Sequence, residues 1–270
     1  MKAFALHFSF EFAAGLRNRT LLMMNYLFPL GFYFLAGAMM TGINPLFREQ
    51  LLPAMVIFAV LAGSILGLPA PLVEAREAGI LRSYRINGVP AGSLLAIPAL
   101  STAIHLILAA AVITVTAPPV FKAPLPQNWP ASILVFLLML FAYSGLGSLI
   151  GVISGNSRLS ILWSQLIYLP SILLSGMMVP AEMMPPAFIK IGHLLPASYA
   201  MQGFIGLGQG QPLLYEPGWA LLVLLAGGFL AFALAQFLFT WDSQNSARRG
   251  HPLLAVLALL PYLLGALLLV

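Results

Sequence analysis

The chain has 270 residues, of which 61% are hydrophobic and only 7% are charged. A soluble core cannot absorb so much apolar surface, so the composition excludes a soluble globular domain and indicates a protein that crosses a membrane several times. The absence of cysteine excludes disulfides and thiolate metal sites, and loop orientation explains the net charge of +5 better than nucleic-acid binding does.

Residues 1–19 predict an amphipathic helix on the membrane surface, with no cleavable signal peptide. Its apolar side chains recur every four positions, at Phe4, Phe8, Phe12 and Leu16. The segment ends in two basic residues, Arg17 and Arg19.

Seven apolar runs are candidates for membrane spans, because a spanning helix needs about 20 apolar residues. The runs cover residues 21–41, 52–73, 94–117, 131–153, 159–179, 218–240 and 252–270. The first six predict spans. The seventh contains Pro261 and could cross the membrane, lie in the interface or enter and return.

Basic residues predict the orientation, because cytoplasmic loops of membrane proteins are enriched in Lys and Arg. With the N-terminus inside, nine basic residues fall on the inner side, namely Lys2, Arg17, Arg19, Arg76, Arg82, Arg85, Arg158, Arg248 and Arg249. Three fall on the outer side, namely Arg48, Lys122 and Lys190. We therefore expect a cytoplasmic N-terminus in the plasma membrane, in a prokaryotic cell.

Residues 74–92 form a polar segment between two apolar runs. Five charges fall within twelve positions, at Glu74, Arg76, Glu77, Arg82 and Arg85. Residues 74–85 predict one short helix, with acids at its start and bases at its end, as the helix dipole favours. Ile80, Leu81 and Tyr84 give this helix an apolar edge. We expect a docking element rather than an ordinary solvated loop.

Two predicted outer segments have unusual compositions. Residues 117–130 contain five prolines, which predict a stiff, extended connector. Residues 180–215 contain two apolar stretches, 187–195 and 199–207, that are too short to span and too apolar for a free loop. They predict short helices that enter the outer leaflet and return.

Small and polar residues inside the runs suggest contacts between helices. Glycines four residues apart occur at two places, Gly63 and Gly67, and Gly147, Gly151 and Gly155. Such spacing allows close helix packing, either within one protomer or at a dimer face. The candidate substrate contacts are Asn25, Trp163, Gln165 and Tyr168, while His105 is expected to be a hydrogen-bonded interior residue.

No pattern predicts a catalytic or metal site, and we expect a transporter rather than an enzyme. The histidines are scattered, and no lysine follows a glycine as a phosphate-binding loop requires. All seven acids lie outside the predicted spans, whereas ion-coupled carriers usually place an acid at mid-membrane. A pore that transports uphill would therefore need its energy from elsewhere.

The chain resembles the type 2 permeases of ABC transporters in two segments. Residues 74–95 are similar to the family's first cytoplasmic loop, with an acidic-basic-acidic start, a glycine and a later proline turn. Residues 175–180 (SGMMVP) and 195–199 (LPASY) resemble its outer re-entrant segment before the last span. Residues 252–270 are an addition to the family's six-span plan.

The resemblance implies an all-α domain over residues 1–245, followed by an extra hydrophobic helix over residues 246–270. It also implies two protomers, identical or different, each with a separate ATPase subunit that binds the ATP and Mg; the permease itself binds no cofactor. The implied coupling residues are Glu74, Arg76, Glu77, Arg82, Tyr84 and Arg85. Arg17 and Arg19 would contact the same ATPase.

We therefore expect the permease of an exporter for a hydrophobic or amphipathic solute, drug-like or lipid-like. One alternative is a permease for a lipid-linked or polysaccharide substrate. A second alternative is a membrane assembly or scaffold protein that transports nothing and would stimulate no ATP hydrolysis.

Overall fold

The computed structural model describes residues 2–43, 45–211, 215–242 and 250–269. Across these ranges the chain forms helices and their connections and no β-strand, which confirms the all-α class. The predicted boundary between residues 245 and 246 lies outside the described residues, as do Arg248 and Arg249.

We number the helices in chain order. They are α1 (Lys2–Arg17), α2 (Arg19–Ile43), α3 (Phe47–Glu77), α4 (Ile80–Ile86), α5 (Ala91–Phe121), α6 (Trp129–Ile153), α7 (Ser157–Leu174), α8 (Pro186–Gly192), α9 (Pro196–Gly203), α10 (Pro217–Leu238) and α11 (Pro252–Leu269). Helices α2 and α3 contain π-helical turns at Met23–Leu27 and Ala62–Gly67. A third such turn, Phe204–Gly208, extends α9, and α11 begins as a 3₁₀ helix over Pro252–Leu259.

Six described helices are long and apolar enough to cross a membrane, namely α2, α3, α5, α6, α10 and α11. This set includes α11, which corresponds to the seventh apolar run. It does not include α7, which was predicted to be a span from the fifth run. Helix α7 has 18 residues, a length of about 27 Å, and it carries Arg158 and Gln165. It also ends at Leu174 rather than at residue 179, because the chain turns at Gly176, where φ is 89°.

Helix α3 lies at the centre of the bundle. Its residues from Leu51 to Ile65 are all buried, as expected for a helix that is apolar on every face. Helix α6 crosses it closely, and a side chain at Gly147 would collide with the backbone of Ser64. A Cβ atom at Gly151 would be in tight contact with Leu72 at 3.0 Å and with the Pro69 carbonyl at 3.2 Å.

The other spaced glycines also face neighbours in the same chain. Gly63 lies against Leu106 and Asn25, and Gly67 lies against Met24. Gly155 differs, because it follows the end of α6 and has only Leu159 nearby. Close packing within one protomer therefore accounts for the glycines inside the helices.

Helix α11 packs against α10 and α9. A Cβ atom at Gly227 of α10 would collide with the Tyr262 ring, and one at Gly265 would collide with that of Tyr199. The Tyr199 hydroxyl donates a hydrogen bond to the Tyr262 carbonyl at 3.0 Å. Since Pro252 lies near Asp242, the start of α11 is beside the end of α10, and the two helices are antiparallel.

The predicted connector over residues 117–130 is shorter than the sequence suggested. Helix α5 continues through Pro118 and Pro119 to Phe121, although proline inside a helix removes a hydrogen bond. Lys122, with φ of 57°, ends it. Only residues 122–128 remain as a connector before α6.

Candidate functional site

The polar segments that were predicted on the inner side meet at one end of the bundle. Ser157, at the start of α7, donates a hydrogen bond to the carboxylate of Glu77 at 3.0 Å. Arg82 of α4 forms an ion pair with Asp242, which follows α10. The α3–α4, α6–α7 and post-α10 segments therefore share one surface.

The predicted outer segments meet at the opposite end. The backbone N–H of Gln127 donates to the Gly208 carbonyl at 2.8 Å. The side chain of Gln209 donates to the Glu49 carbonyl at 3.0 Å. The two sets of loops therefore lie at opposite ends of the bundle, and the cytoplasmic location of the first set stays a prediction.

The single helix predicted over residues 74–85 is wrong, because this stretch contains two helices. Helix α3 continues to Glu77, and α4 begins at Ile80. Between them, Gly79 has φ of 73°, a left-handed conformation that breaks the helical path. Helix α4 is therefore a separate unit of seven residues that projects from the end of α3.

Arg76 holds the end of α6 instead of facing solvent. It is 3% exposed and donates hydrogen bonds to the carbonyls of Val152 at 2.8 Å, Gly151 at 3.1 Å, and Ser154. The last carbonyls of a helix lack partners within it, and a cation at that end is favoured by the helix dipole. We therefore leave Arg76 out of the candidate docking surface.

The predicted apolar edge of α4 divides between two faces. Leu81 is buried, and Tyr84 stacks on the His7 ring of α1 with centroids 5.6 Å apart, so both face the bundle. Ile80 and Ile86 are instead exposed, Ile86 to 80%. The sequence argument missed Ile86, although an isoleucine among polar residues was a signal for a contact made outside the chain.

The docking surface of α4 is defined here by its exposed residues. They are Ile80, Arg82, Ser83, Arg85 and Ile86. Glu74 and Glu77 are exposed beside it at the end of α3. Two exposed isoleucines among three polar side chains form a surface that suits a groove with an apolar floor and a polar rim.

Helix α1 packs along α5 through a stacked pair of rings. Phe12 lies 4.5 Å from His105 between centroids, with the planes within 1° of parallel. His105 Nδ1 is also hydrogen-bonded to the Tyr26 hydroxyl at 2.7 Å, as predicted for an interior histidine. Sequence periodicity could place Phe12 on an apolar face but could not identify its partner 93 residues later.

Arg17 and Arg19 lie in the bend between α1 and α2, and both are exposed. Asn18 forms the bend, because its side chain caps α2 by accepting hydrogen bonds from Thr20 at 2.9 Å and Leu21 at 3.2 Å. The two arginines are therefore accessible to a partner.

A cavity of about 190 Å³, lined by both apolar and polar side chains, lies among α1, α4 and α5 and also borders α2, α3 and α6. Its lining includes His7 and Glu11 of α1, Tyr84 of α4 and His105 of α5. Burial raises the pKa of Glu11, an effect that the nearby His7 partly offsets. The cavity therefore borders α1, α4 and α5 together, beside the stack of Tyr84 on His7.

The four candidate substrate contacts do not converge on one site. Asn25 is buried against Gly63. Tyr168 is buried near the ring of Phe58, with centroids 6.1 Å apart. Trp163 lines an open groove beside α11, and Gln165 is half-buried.

Comparison with known proteins adds an independent observation. The model of the family described as "ABC-2 type transporter" matches residues 3–207. A protein of Bacillus subtilis (strain 168) named "Putative transport permease YvfS" is 25% identical over 228 residues, which cover 83% of this chain and 91% of that protein. No solved structure matches the chain.

Proposed function

Because the chain belongs to the ABC-2 type transporter family and is a multi-pass membrane transport permease, we propose that it is the membrane-spanning subunit of an exporter. The solute is hydrophobic or amphipathic, and a separate ATPase subunit that binds ATP and Mg supplies the energy. A second protomer, identical or different, completes the pathway. The docking surface of α4 faces the cytoplasm, in the plasma membrane of a prokaryotic cell.

The placement of α4 is the observation that carries this proposal. Helix α4 exposes Ile80 and Ile86 outward, whereas Leu81 is buried against the bundle. Tyr84 stacks on His7 of α1, and Arg82 pairs with Asp242 after α10. A subunit that binds α4 would therefore act on α1 and on the segment that follows α10.

The distribution of acids supports an external source of energy. Every acid that the structure describes lies outside the spans or within a few residues of a span's end, at Glu11, Glu49, Glu74, Glu77, Glu182, Glu216 and Asp242. A proton-coupled carrier usually has an acidic side chain within the membrane that binds and releases the proton. In the proposed mechanism the ATPase subunit supplies the energy instead.

In the proposed cycle, ATP-driven closure of the two ATPase subunits moves α4. The Phe12–His105 stack and the Arg82–Asp242 ion pair transmit that movement to α5 and α10. Rocking of the two protomers then exposes the pathway alternately to the two sides of the membrane.

Reconstitution with candidate ABC ATPases tests the proposal. Ile86→Asp should abolish solute-stimulated ATP hydrolysis, because loss of an apolar interface anchor costs about 2 kcal/mol or more, which is more than about tenfold in affinity. Leu125→Asp, which changes an exposed apolar residue in the connector at the opposite end, is the matched control and should retain activity. Equal activities of the two variants would contradict the proposed docking surface.

A further inference from the structure

A groove beside α11 is lined almost entirely by apolar side chains. It has a volume of about 370 Å³ and lies between α6, α7 and α11. Ile150 of α6, Trp163 of α7 and Val256 of α11 are among its walls. Helix α6 contacts both of the other helices and forms the floor between them.

Water cannot fill this groove favourably. A water molecule occupies about 30 Å³ in the liquid, so a groove of about 370 Å³ would hold about twelve of them. Waters in an apolar site lack the two to four polar partners that they need. Because α6 and α11 are both membrane-spanning candidates, the hydrocarbon of the bilayer is the solvent that this groove meets.

The groove adjoins a smaller crevice with polar residues in its lining. The two share Ile153, Gly155 and Pro252 in their linings. The polar residues of the crevice are Arg76, Ser154, Thr240 and Asp242. Arg158 is exposed. In the sequence it lies between Gly155, which lines both the groove and the crevice, and Leu159, which lines the groove.

The extent of the groove matches one leaflet. Its lining on α7 runs from Leu159 to Ile167, a rise of about 12 Å along the helix. The hydrocarbon core of a bilayer is about 30 Å thick, so the groove covers less than half of that thickness. Its polar end lies at the surface that carries Arg76 and Asp242.

We propose that the groove and the crevice together bind one phospholipid. The phosphate lies at the crevice beside Arg158, and one acyl chain lies along the groove between Trp163 and Val256. This lipid is a resident component that fills the space between α7 and α11, and its binding does not depend on which solute the permease carries.

Native mass spectrometry of the full chain tests this site. The protein is reconstituted in vesicles of phosphatidylglycerol and phosphatidylethanolamine and then extracted with washes that remove loosely held lipid. The wild type should retain one phospholipid per protomer. Val256→Trp, which fills the groove, should reduce the retained fraction at least about fivefold, because the indole ring takes the space that the acyl chain would occupy.

Leu257→Trp is the matched control, because Leu257 is the exposed neighbour on α11 that does not line the groove. It should retain the lipid. Leu166→Trp repeats the test from α7, with the exposed Leu162→Trp as its control, and serves if Val256→Trp does not fold. Equal retention in a groove variant and its control, or a change in oligomeric state without lipid loss, would overturn the proposal.

Discussion

Phe12 and His105 stack with their ring centroids 4.5 Å apart and their planes parallel within 1°. This contact joins the N-terminal helix α1 to the membrane-spanning helix α5. It lies at the cavity that also reaches Tyr84 of α4. The amphipathic helix is therefore packed against the bundle through this contact.

Replacing Phe12 with alanine should loosen α1 from α5. An aromatic pair contributes about 0.5 to 1.5 kcal/mol beyond its buried area, so Phe12→Ala should lower the apparent free energy of unfolding by about 1 to 2 kcal/mol. Phe10→Ala is the control, because Phe10 is exposed on the same helix. Thermal unfolding in detergent measures both, and equal losses would contradict a specific role for the stack.

Arg76 should be a stability residue, although the sequence placed it among the coupling residues. Arg76→Ala leaves the carbonyls of Gly151 and Val152 without their donors. Hydrogen bonds from charged donors contribute about 1.5 to 3 kcal/mol, so we expect a loss of at least about 2 kcal/mol in thermal or denaturant unfolding. Arg85→Ala, at an exposed position, should change stability by less than about 0.5 kcal/mol.

The contact between α10 and α11 should respond to a single methyl group. Gly227→Ala places a Cβ atom against the Tyr262 hydroxyl, and such overpacking costs about 1 to 3 kcal/mol. That hydroxyl is buried without a hydrogen-bond partner among the described residues, so Tyr262→Phe should relieve part of the clash. The double variant should unfold at a higher temperature than Gly227→Ala alone.

Gly218→Ala provides the control for that series. Gly218 is also in α10, but no atom lies within 4 Å of a Cβ built there. Its substitution should leave the unfolding temperature nearly unchanged. A Gly227→Ala variant as stable as Gly218→Ala would mean that α11 does not pack on α10 in this way.

His193 should make the outer segment sensitive to mild acid. Burial lowers its pKa, an effect that the hydrogen bond to the Ile189 carbonyl partly offsets. Between the lowered folded pKa and the unfolded value near 6.5, the unfolded chain binds more protons, so stability falls as the pH drops through this window. Each unit of lowering corresponds to about 1.4 kcal/mol.

The test compares unfolding temperatures at pH 7.5 and pH 5.5. His193→Phe keeps a ring beside Tyr199 and Tyr215 but cannot titrate, so its unfolding temperature should depend less on pH than that of the wild type. His251→Asn, at an exposed histidine, should retain the wild-type dependence. An undiminished pH dependence in His193→Phe would assign the effect to another group.

The sequence predicted most of the helices because the bilayer imposes both length and composition on them. The run over residues 131–153 corresponds to α6, Trp129–Ile153, almost to the residue. The position of Arg76 was not predictable in the same way. Its charge indicated solvent, whereas its partners on α6 lie about 75 residues away and become neighbours only in the folded bundle.

The sequence predicted which segment forms the candidate site, but it did not predict which side chains of that segment are exposed. The charges around residues 74–85 identified the segment correctly as polar, yet the turn at Gly79 divides it and rotates Leu81 and Tyr84 inward. Composition does not specify such a rotation. The exposed face of α4 became clear only from the burial of its individual residues.

Cysteine cross-linking tests the central claim most directly, because the chain has no cysteine of its own. A single cysteine at Ile86 should form a disulfide with a cysteine in the permease-facing groove of the cognate ATPase. A cysteine at the exposed Met183 should form none. Cross-linking from Met183 and none from Ile86 would contradict the account, because the ATPase would then bind the opposite end of the bundle.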